Sequence, residues 1–476
     1  MKYTLRLVFF LIFMLPPNQA FTTIERRAVF GLSAIYGLRM FGLFLILPVL
    51  AIYADELPGS TPFLIGLTLG AYGIAQALLQ IPFGLLSDKF GRKYLISIGL
   101  GIFIVGSLVA GFADDIYTMI VGRTLQGSGA IAAAVLALTA DLTRENQRSK
   151  AMAIIGVSIG ASFMLAFIVA SPLVSFFGFS GLFFMTAALA MLAIIALWLY
   201  VPNQTPRSSR DVKFVASDFA NLLQHKHLMR LNIGIFVLHS VLTAIFVVVP
   251  LLLNDRLELS SDEHWKVYIP VMLGSIVFMV PLVKMSANKA RLMRVFLSGI
   301  ILLMVAQVIL LVSSLDNVFS LAFCLLIFFI GFNTLEAMLP SLVTRVAPAA
   351  MKGTAVGIYN TFQFSGVFIG GAVGGYLMGN SGPNAVFAFC GILIVVWALV
   401  VILSPQATLF DTVLIRLIPG NKNQQKENAM RYDKLSLIEG VKDVTIIDDE
   451  NVAYLKVDKK EFNTHLLSNI AFVDQS

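Results

Sequence analysis

Charge is scarce in this chain. Asp, Glu, Lys and Arg make up 13% of its 476 residues, against about a quarter in ordinary soluble domains, while apolar residues reach 58%. A soluble domain is therefore excluded. Cysteine is nearly absent too: Cys324 and Cys390 are the only two, each inside an apolar run, which rules out a disulfide framework and a cysteine-based metal site. The apolar runs are continuous, without the alternation of a β-barrel, and about twenty residues long, the length of a bilayer-crossing helix. Outside them no paired carboxylates, nucleophile–base set or metal-ligand cluster is found, so the sequence points to no enzyme, cofactor or metal. The net charge of +7 lies mostly in short connections between runs, so membrane topology accounts for it and no nucleic-acid partner is expected.

What is present is an all-α polytopic membrane protein. Twelve spans are read at 28–53, 63–86, 94–113, 116–140, 151–174, 179–201, 229–253, 265–285, 295–314, 318–340, 351–378 and 384–404. Connections alternate in charge. One set carries Lys89, Arg92, Lys93, Arg144, Arg148 and Lys150, and the other carries Asp55, Glu56, Asp114 and Asp115, with Arg256 and Lys266 as exceptions. Basic loops mark the inner face, which places both termini in the cytoplasm of a cell whose inner (plasma) membrane holds the protein. A polar, basic linker at 202–228 divides the spans into two six-helix halves, 28–201 and 229–404.

Residues 1–27 form an N-terminal extension and cytoplasmic flank. Within it, Lys2 and Arg6, an apolar core from Leu7 to Leu15, and Ala20 fit either a secretory signal or a translation start set too far upstream. Beyond 404 the chain turns polar. Thr412–Ile418, Val441–Ile447 and Val452–Val457 read as strands, with helices at Asn421–Ile438 and Lys459–Ile470 and a hairpin turn at Asp448–Asn451. That order predicts a small α+β, ferredoxin-like cytoplasmic domain over 405–476. At this size it is expected to dock on the cytoplasmic loops or on a protein partner.

The most informative stretch is Gly84–Lys93, G-L-L-S-D-K-F-G-R-K, in the turn between the second and third spans. Gly84 permits close helix approach and Gly91 a positive φ. A generic basic loop explains Lys89, Arg92 and Lys93, but not Asp88, four residues from both Gly84 and Arg92. The pattern resembles the signature loop of the major facilitator superfamily, and the small soluble domain resembles the YajR-type branch of it. The resemblance implies two six-helix halves rocking around a central cavity. It also implies a charge relay of Asp88, Arg92 and Asp141, and an outward-open state locked where Asp88 meets the N-terminus of the eleventh span.

Arg123 opens R-T-L-Q-G-S-G-A in the fourth span, which resembles the family's second signature and implies a part in proton coupling. The alternative is an arginine tying helices together through carbonyls. Its neighbours Gly127 and Gly129 are small enough for close helix packing. The fifth span offers Gly156, Gly160 and Pro172 where proton-coupled drug antiporters of the family carry a glycine-rich run ending Gly-Pro. Ser171 replaces that last glycine, and Phe163, Met164 and Phe167 are bulky.

Further charges lie where lipid should be: Arg39 in the first span, His239 in the seventh and Glu336 in the tenth. An ionised group there costs a few kcal/mol or more and needs a partner or a cavity. Glu336 must be neutral for part of a transport cycle or paired with an arginine. His239 is either a proton relay or a helix–helix hydrogen bond. Glu263 and His264 at the outer face read as a gate or as part of an interfacial belt with Trp265 and Tyr268.

These features predict a proton-driven transporter, an exporter of small amphipathic compounds from a Phe- and Met-lined cavity. Its partners would be a small-molecule substrate, protons and the lipid bilayer. A proton-linked nutrient importer and a non-transporting sensor acting through the C-terminal domain remain open at this point.

Overall fold

The computed structural model describes residues 21–203, 216–313, 316–348, 351–404, 411–417, 424–447, 452–458 and 461–462. The signal-like residues 1–20, the Asp448–Asn451 turn and nearly all of the expected Lys459–Ile470 helix lie outside them.

Local signals set most helix ends. α1, Thr23–Asp55, opens on a reciprocal cap in which the Glu25 N–H donates to Thr22 and the Thr22 N–H donates back to the Glu25 carboxylate. That cap starts the helix ahead of the apolar run. α2, Pro62–Phe90, has Thr61 as its cap and proline in its first turn. Gly91, at φ 95°, ends α2 and leads directly into α3, Arg92–Gly111. Asp115 caps α4, Ile116–Ser128. The Thr118 N–H and hydroxyl hold the Asp115 carboxyl below the usual aspartate range. The fourth pass is not one helix. It breaks at Gly129 and resumes as α5, Ala132–Asp141.

α6, Glu145–Leu199, contains two passes joined at Gly178, whose φ of 71° and ψ of 170° leave the helical region. Both parts pack on α1. Gly37 of α1 meets Ser158 and Ser162, whereas Gly42 meets Thr186 and Gly31 meets Tyr200. The second part thus runs back along α1, so the chain reverses at Gly178. After the short α7, Ala216–Gln224, come α8 (Lys226–Leu251), α9 (Trp265–Ser286), α10 (Lys289–Val312), α11 (Val318–Val346), α12 (Lys352–Ser381) and α13 (Pro383–Leu403). α11 continues past Pro340, because an internal proline removes one ladder bond without having to end a helix.

Ten segments among the described residues are long and apolar enough to cross a bilayer. One of them reverses at Gly178, and the 30-residue, glycine-rich α12 packs among them.

Glycines let the central helices touch backbone to backbone. A Cβ on Gly66 of α2 would stand 2.1 Å from the Gly371 carbonyl of α12, and one on Gly73 would stand 2.6 Å from the Phe364 carbonyl. On its other side α12 presents Gly366 and Gly370 to the Phe236 and Ser240 carbonyls of α8. Gly127 rests on the Tyr72 carbonyl and Gly129 on the Gly99 carbonyl. Gly156 and Gly160 are the exception to the expected packing motif. Nothing lies within 4 Å of a Cβ at either, because α6 makes its close contact through Ser158 and Ser162 against Gly37. Pro172 sits inside α6, six residues before the reversal.

The C-terminal segment forms β1 (Asp411–Arg416), α14 (Gln424–Ser436), β2 (Val441–Ile447) and β3 (Val452–Val457). β3 is central and antiparallel to both neighbours, in the order β1-β3-β2. β1 and β2 therefore run the same way, separated by one strand and connected through a helix. Ile415, Leu417, Leu435, Val444, Ala453, Leu455 and Val457 form its small core.

Candidate functional site

The signature loop places its charges by simple geometry. Asp88 lies in the last turn of α2 and Arg92 is the first residue of α3, so the turn at Gly91 brings them together. Arg92 pairs with Asp88, donates to Ser87 Oγ at 2.8 Å, and donates from Nε to Asp141 Oδ2 at 3.1 Å. Gly84 lies close to Ala133 of α5, 3.3 Å from its would-be Cβ to the Ala133 methyl. Lys93 does something else. Its ammonium donates to the Val201 carbonyl at 2.6 Å and to Asn203 at 2.8 Å, which ties α3 to the end of α6. A second clamp lies at the same end of the bundle, where Arg144 donates from its backbone and guanidinium to the buried Glu25 carboxylate.

These Arg92 pairings all join elements of the first half. The expected lock onto α12 is not seen among the described residues, where Asp88 pairs with Arg92. The halves close at the opposite end instead. There Gly66 interlocks with Gly371 and Gly375, and the Tyr53 hydroxyl meets Ser261 Oγ at 3.1 Å. His264 is buried there with Nε2 3.0 Å from the Leu259 carbonyl, and Glu263 pairs with Lys266.

Deep in the first half, Arg39 and Arg123 flank Tyr72, with guanidinium carbons 5.9 and 5.2 Å from its ring centre. Arg39 donates to Gln76 at 2.7 Å and to the Gly129 carbonyl at 2.8 Å, at the point where the helix breaks. Arg123 donates to Gln126 at 2.7 Å, and Gln126 in turn donates to Ser107. The bonds seen at both arginines go to amide and carbonyl oxygens. Gln76, Gln126 and Ser107 escaped the sequence reading, although glutamines inside apolar spans are a usable signal.

The second half carries the opposite charge. Among the described residues Glu336 on α11 pairs with no arginine or lysine; it faces His239 of α8, with Nδ1 3.9 Å from Oε2. Gln363 of α12 holds the other imidazole nitrogen at 2.8 Å. Glu336 Oε2, His239 Nδ1 and the Tyr359 hydroxyl are buried without a hydrogen-bond partner. Just beyond them, towards the closed end, is an aromatic plug. Phe163 and Phe167 of α6 meet Phe329 at 6.3 and 5.9 Å, and Phe163 stacks on Phe332 at 5.8 Å. The Phe332 ring lies 5.8 Å from the His239 ring. Tyr359 and Gln363 were not foreseen, because neither stands out among the polar residues of a glycine-rich span.

The sequence profile of the Major Facilitator Superfamily matches residues 32–371 and again 294–413. The chain belongs to the Major Facilitator Superfamily. Within the superfamily it is 41% identical over 440 residues to the inner membrane transport protein YajR of Escherichia coli, covering 92% of this chain and 96% of that one. It is 26% identical over 372 residues to multidrug resistance protein 2 of Bacillus subtilis, covering 75% and 89%. Among solved structures, a bacterial homologue of the human lysosomal transporter Spinster, inward-facing and occupied, shares the fold with a TM-score of 0.65 at 14% identity. That match covers 81% of this chain and 97% of that one. The chain is thus a multi-pass inner-membrane transporter of the YajR type and not an enzyme.

Proposed function

We propose that this transporter is driven by the proton gradient and exports small amphipathic compounds. One observation carries the reading: among the described residues, Glu336, a carboxylate in the second-half bundle, faces His239 and pairs with no arginine or lysine. A permanently ionised carboxylate there would be costly, so it takes and loses a proton as the cavity faces one side and then the other. The aromatic plug above it supplies apolar walls for a substrate. Similarity to a multidrug resistance protein supports efflux. The distribution of basic loops supports a cytoplasmic position for the end bearing Asp88 and Arg92 and for both termini, and the contacts between the halves at the opposite end support a state open to the cytoplasm. In the opposite state Asp88 and Arg92 reach the start of α12 and hold that end shut. Residues 405–476 form an appended unit whose split β-α-β order supports a ferredoxin-like fold.

Glu336→Gln in inside-out vesicles tests the coupling. The expected result is that flux no longer responds to an imposed pH gradient while the melting temperature stays put. A variant that responds fully to the gradient but melts several degrees lower would make Glu336 a structural anchor, and would move coupling to His239, Arg123 or Asp141.

A further inference from the structure

We propose that the end of α6, where α1 and α3 flank it, seats the headgroup of one anionic phospholipid, whose acyl chains lie along α6 and α3. The site is separate from Glu336 and stands whether or not protons drive transport.

Three consecutive residues divide the end of α6 between its neighbours. Trp198 turns to α3, where its indole N–H donates to Ser97 Oγ at 2.9 Å and its ring lies 5.6 Å from the Lys93 ammonium. Tyr200 turns to α1, with its ring 5.3 Å from the Arg27 guanidinium and an edge 3.0 Å from a would-be Cβ on Gly31. Leu199, between them, is 77% exposed. On a helix of bilayer-crossing length, an exposed leucine there faces lipid, and Trp and Tyr favour the boundary between headgroups and tails.

An apolar track leads away from that end. Leu192, Ile195 and Leu199 are exposed at helical spacing on α6, as are Ile98, Val105 and Leu108 on α3. The two helices stay side by side from the Ser97–Trp198 bond to the Phe112–Phe184 ring contact, where the centroids are 4.9 Å apart. That stretch of α3 is about 22 Å long. It exceeds the half-thickness of the hydrocarbon core, about 15 Å, so an acyl chain can follow it through its own leaflet. Gly101, with nothing within 4 Å of a Cβ, leaves a dent in the α3 side between Ile98 and Val105.

Charge selects the lipid. The acids nearest in sequence are already held, Glu25 by Arg144 and Asp88 by Arg92. Among the described residues Arg27 and Lys93 pair with no carboxylate, and Lys93 donates to neutral oxygens of Val201 and Asn203. Two positive charges thus flank one helix end without a counter-charge. Basic pockets between membrane helices suit anionic headgroups. A phosphodiester with an uncharged headgroup, as in phosphatidylglycerol, balances the pair, whereas a choline headgroup brings a cation back towards Arg27. The exposed Arg27 guanidinium meets the phosphate, and the buried Lys93 ammonium adds its charge from behind Trp198.

Native mass spectrometry of the purified full-length protein tests the site, with dioleoyl phosphatidylglycerol and dioleoyl phosphatidylcholine in competition. The first lipid bound should be phosphatidylglycerol by at least about fivefold, and Arg27→Gln should lower that preference about fivefold, the worth of one cation near a lipid surface. Arg27→Lys should keep most of it. Arg27 is exposed, so both variants should fold. Arg291→Gln, at an exposed position on α10 in the other half, should leave the preference unchanged. No preference in the unaltered protein, or an equal loss in Arg27→Gln and Arg291→Gln, overturns the site in favour of diffuse surface attraction. Displacement of the lipid by millimolar inorganic phosphate overturns it in favour of a free anion. A doubled protein mass in place of the lipid adduct overturns it in favour of a second copy of the chain.

Discussion

Arg92 and Lys93 are neighbours in one motif and do different work. Arg92 spreads its guanidinium over the partly exposed Asp88 and Asp141 and the buried Ser87, at one end of the first half. Lys93 is buried and spends its ammonium on the Val201 carbonyl and Asn203. Removing a partner from a buried carbonyl costs about 1–3 kcal/mol. Lys93→Ala should therefore lower the melting temperature by several degrees. Arg92→Ala and Asp88→Asn should instead lower transport while leaving ligand affinity within a few-fold, because their charges lie about half a bilayer from a midplane site. Equilibrium binding beside transport assays decides it: an affinity loss in Arg92→Ala as large as that of a cavity substitution would mean the motif shapes the site and not the state.

Among the elements, α12 makes the closest contacts with both halves. Its glycines bring it into backbone contact with α2 on one side and α8 on the other, and its first turns bury Ala355 and Ile358 while leaving Gly353 and Gly357 facing open space. A methyl added at Gly66 would overlap the Gly371 carbonyl, with no flexible side chain to give way. Overpacking of this kind costs about 1–3 kcal/mol. Gly66→Ala should therefore shift the population away from closure at this end, which spin labels at Tyr53 and Ser261 would read as a smaller short-distance fraction. An unchanged distribution would show that closure is set elsewhere.

The same helices show what the sequence could and could not disclose. Hydropathy and loop charge located the passes, because lipid imposes a length and a sidedness on every helix. Glycine spacing did not say which helix meets which. Gly127 and Gly129 lie against backbone carbonyls, while Gly156 and Gly160, spaced just as suggestively, face nothing. Contact partners are a property of the assembled bundle, and so is the closed end. In the same way Glu336 was visible as a charge in an apolar run. Its company, His239, Gln363 and Tyr359 from two other helices, was not.

At the scale of the whole molecule, the question is whether the C-terminal unit is part of the machine or cargo on it. β3 pairs with β1 along Asp411–Arg416 and with β2 along Val441–Ile447, so the sheet satisfies its own ladder. Leu435 from α14 packs on the sheet with Ile415, Val444 and Leu455, so the core comes from this segment alone. A chain ending at Ser404 should then insert normally, melt within a few degrees of the full chain and keep its response to a pH gradient. Residues 405–476 expressed alone should give a dispersed NMR spectrum, although a unit of about seventy residues has a small core and limited stability. A truncated chain that inserts and melts normally, yet loses gradient-driven flux, would place the appended unit inside the transport cycle and revive a signalling role for it. Collapsed peaks from the isolated segment would mean that it needs the bundle or a partner to fold.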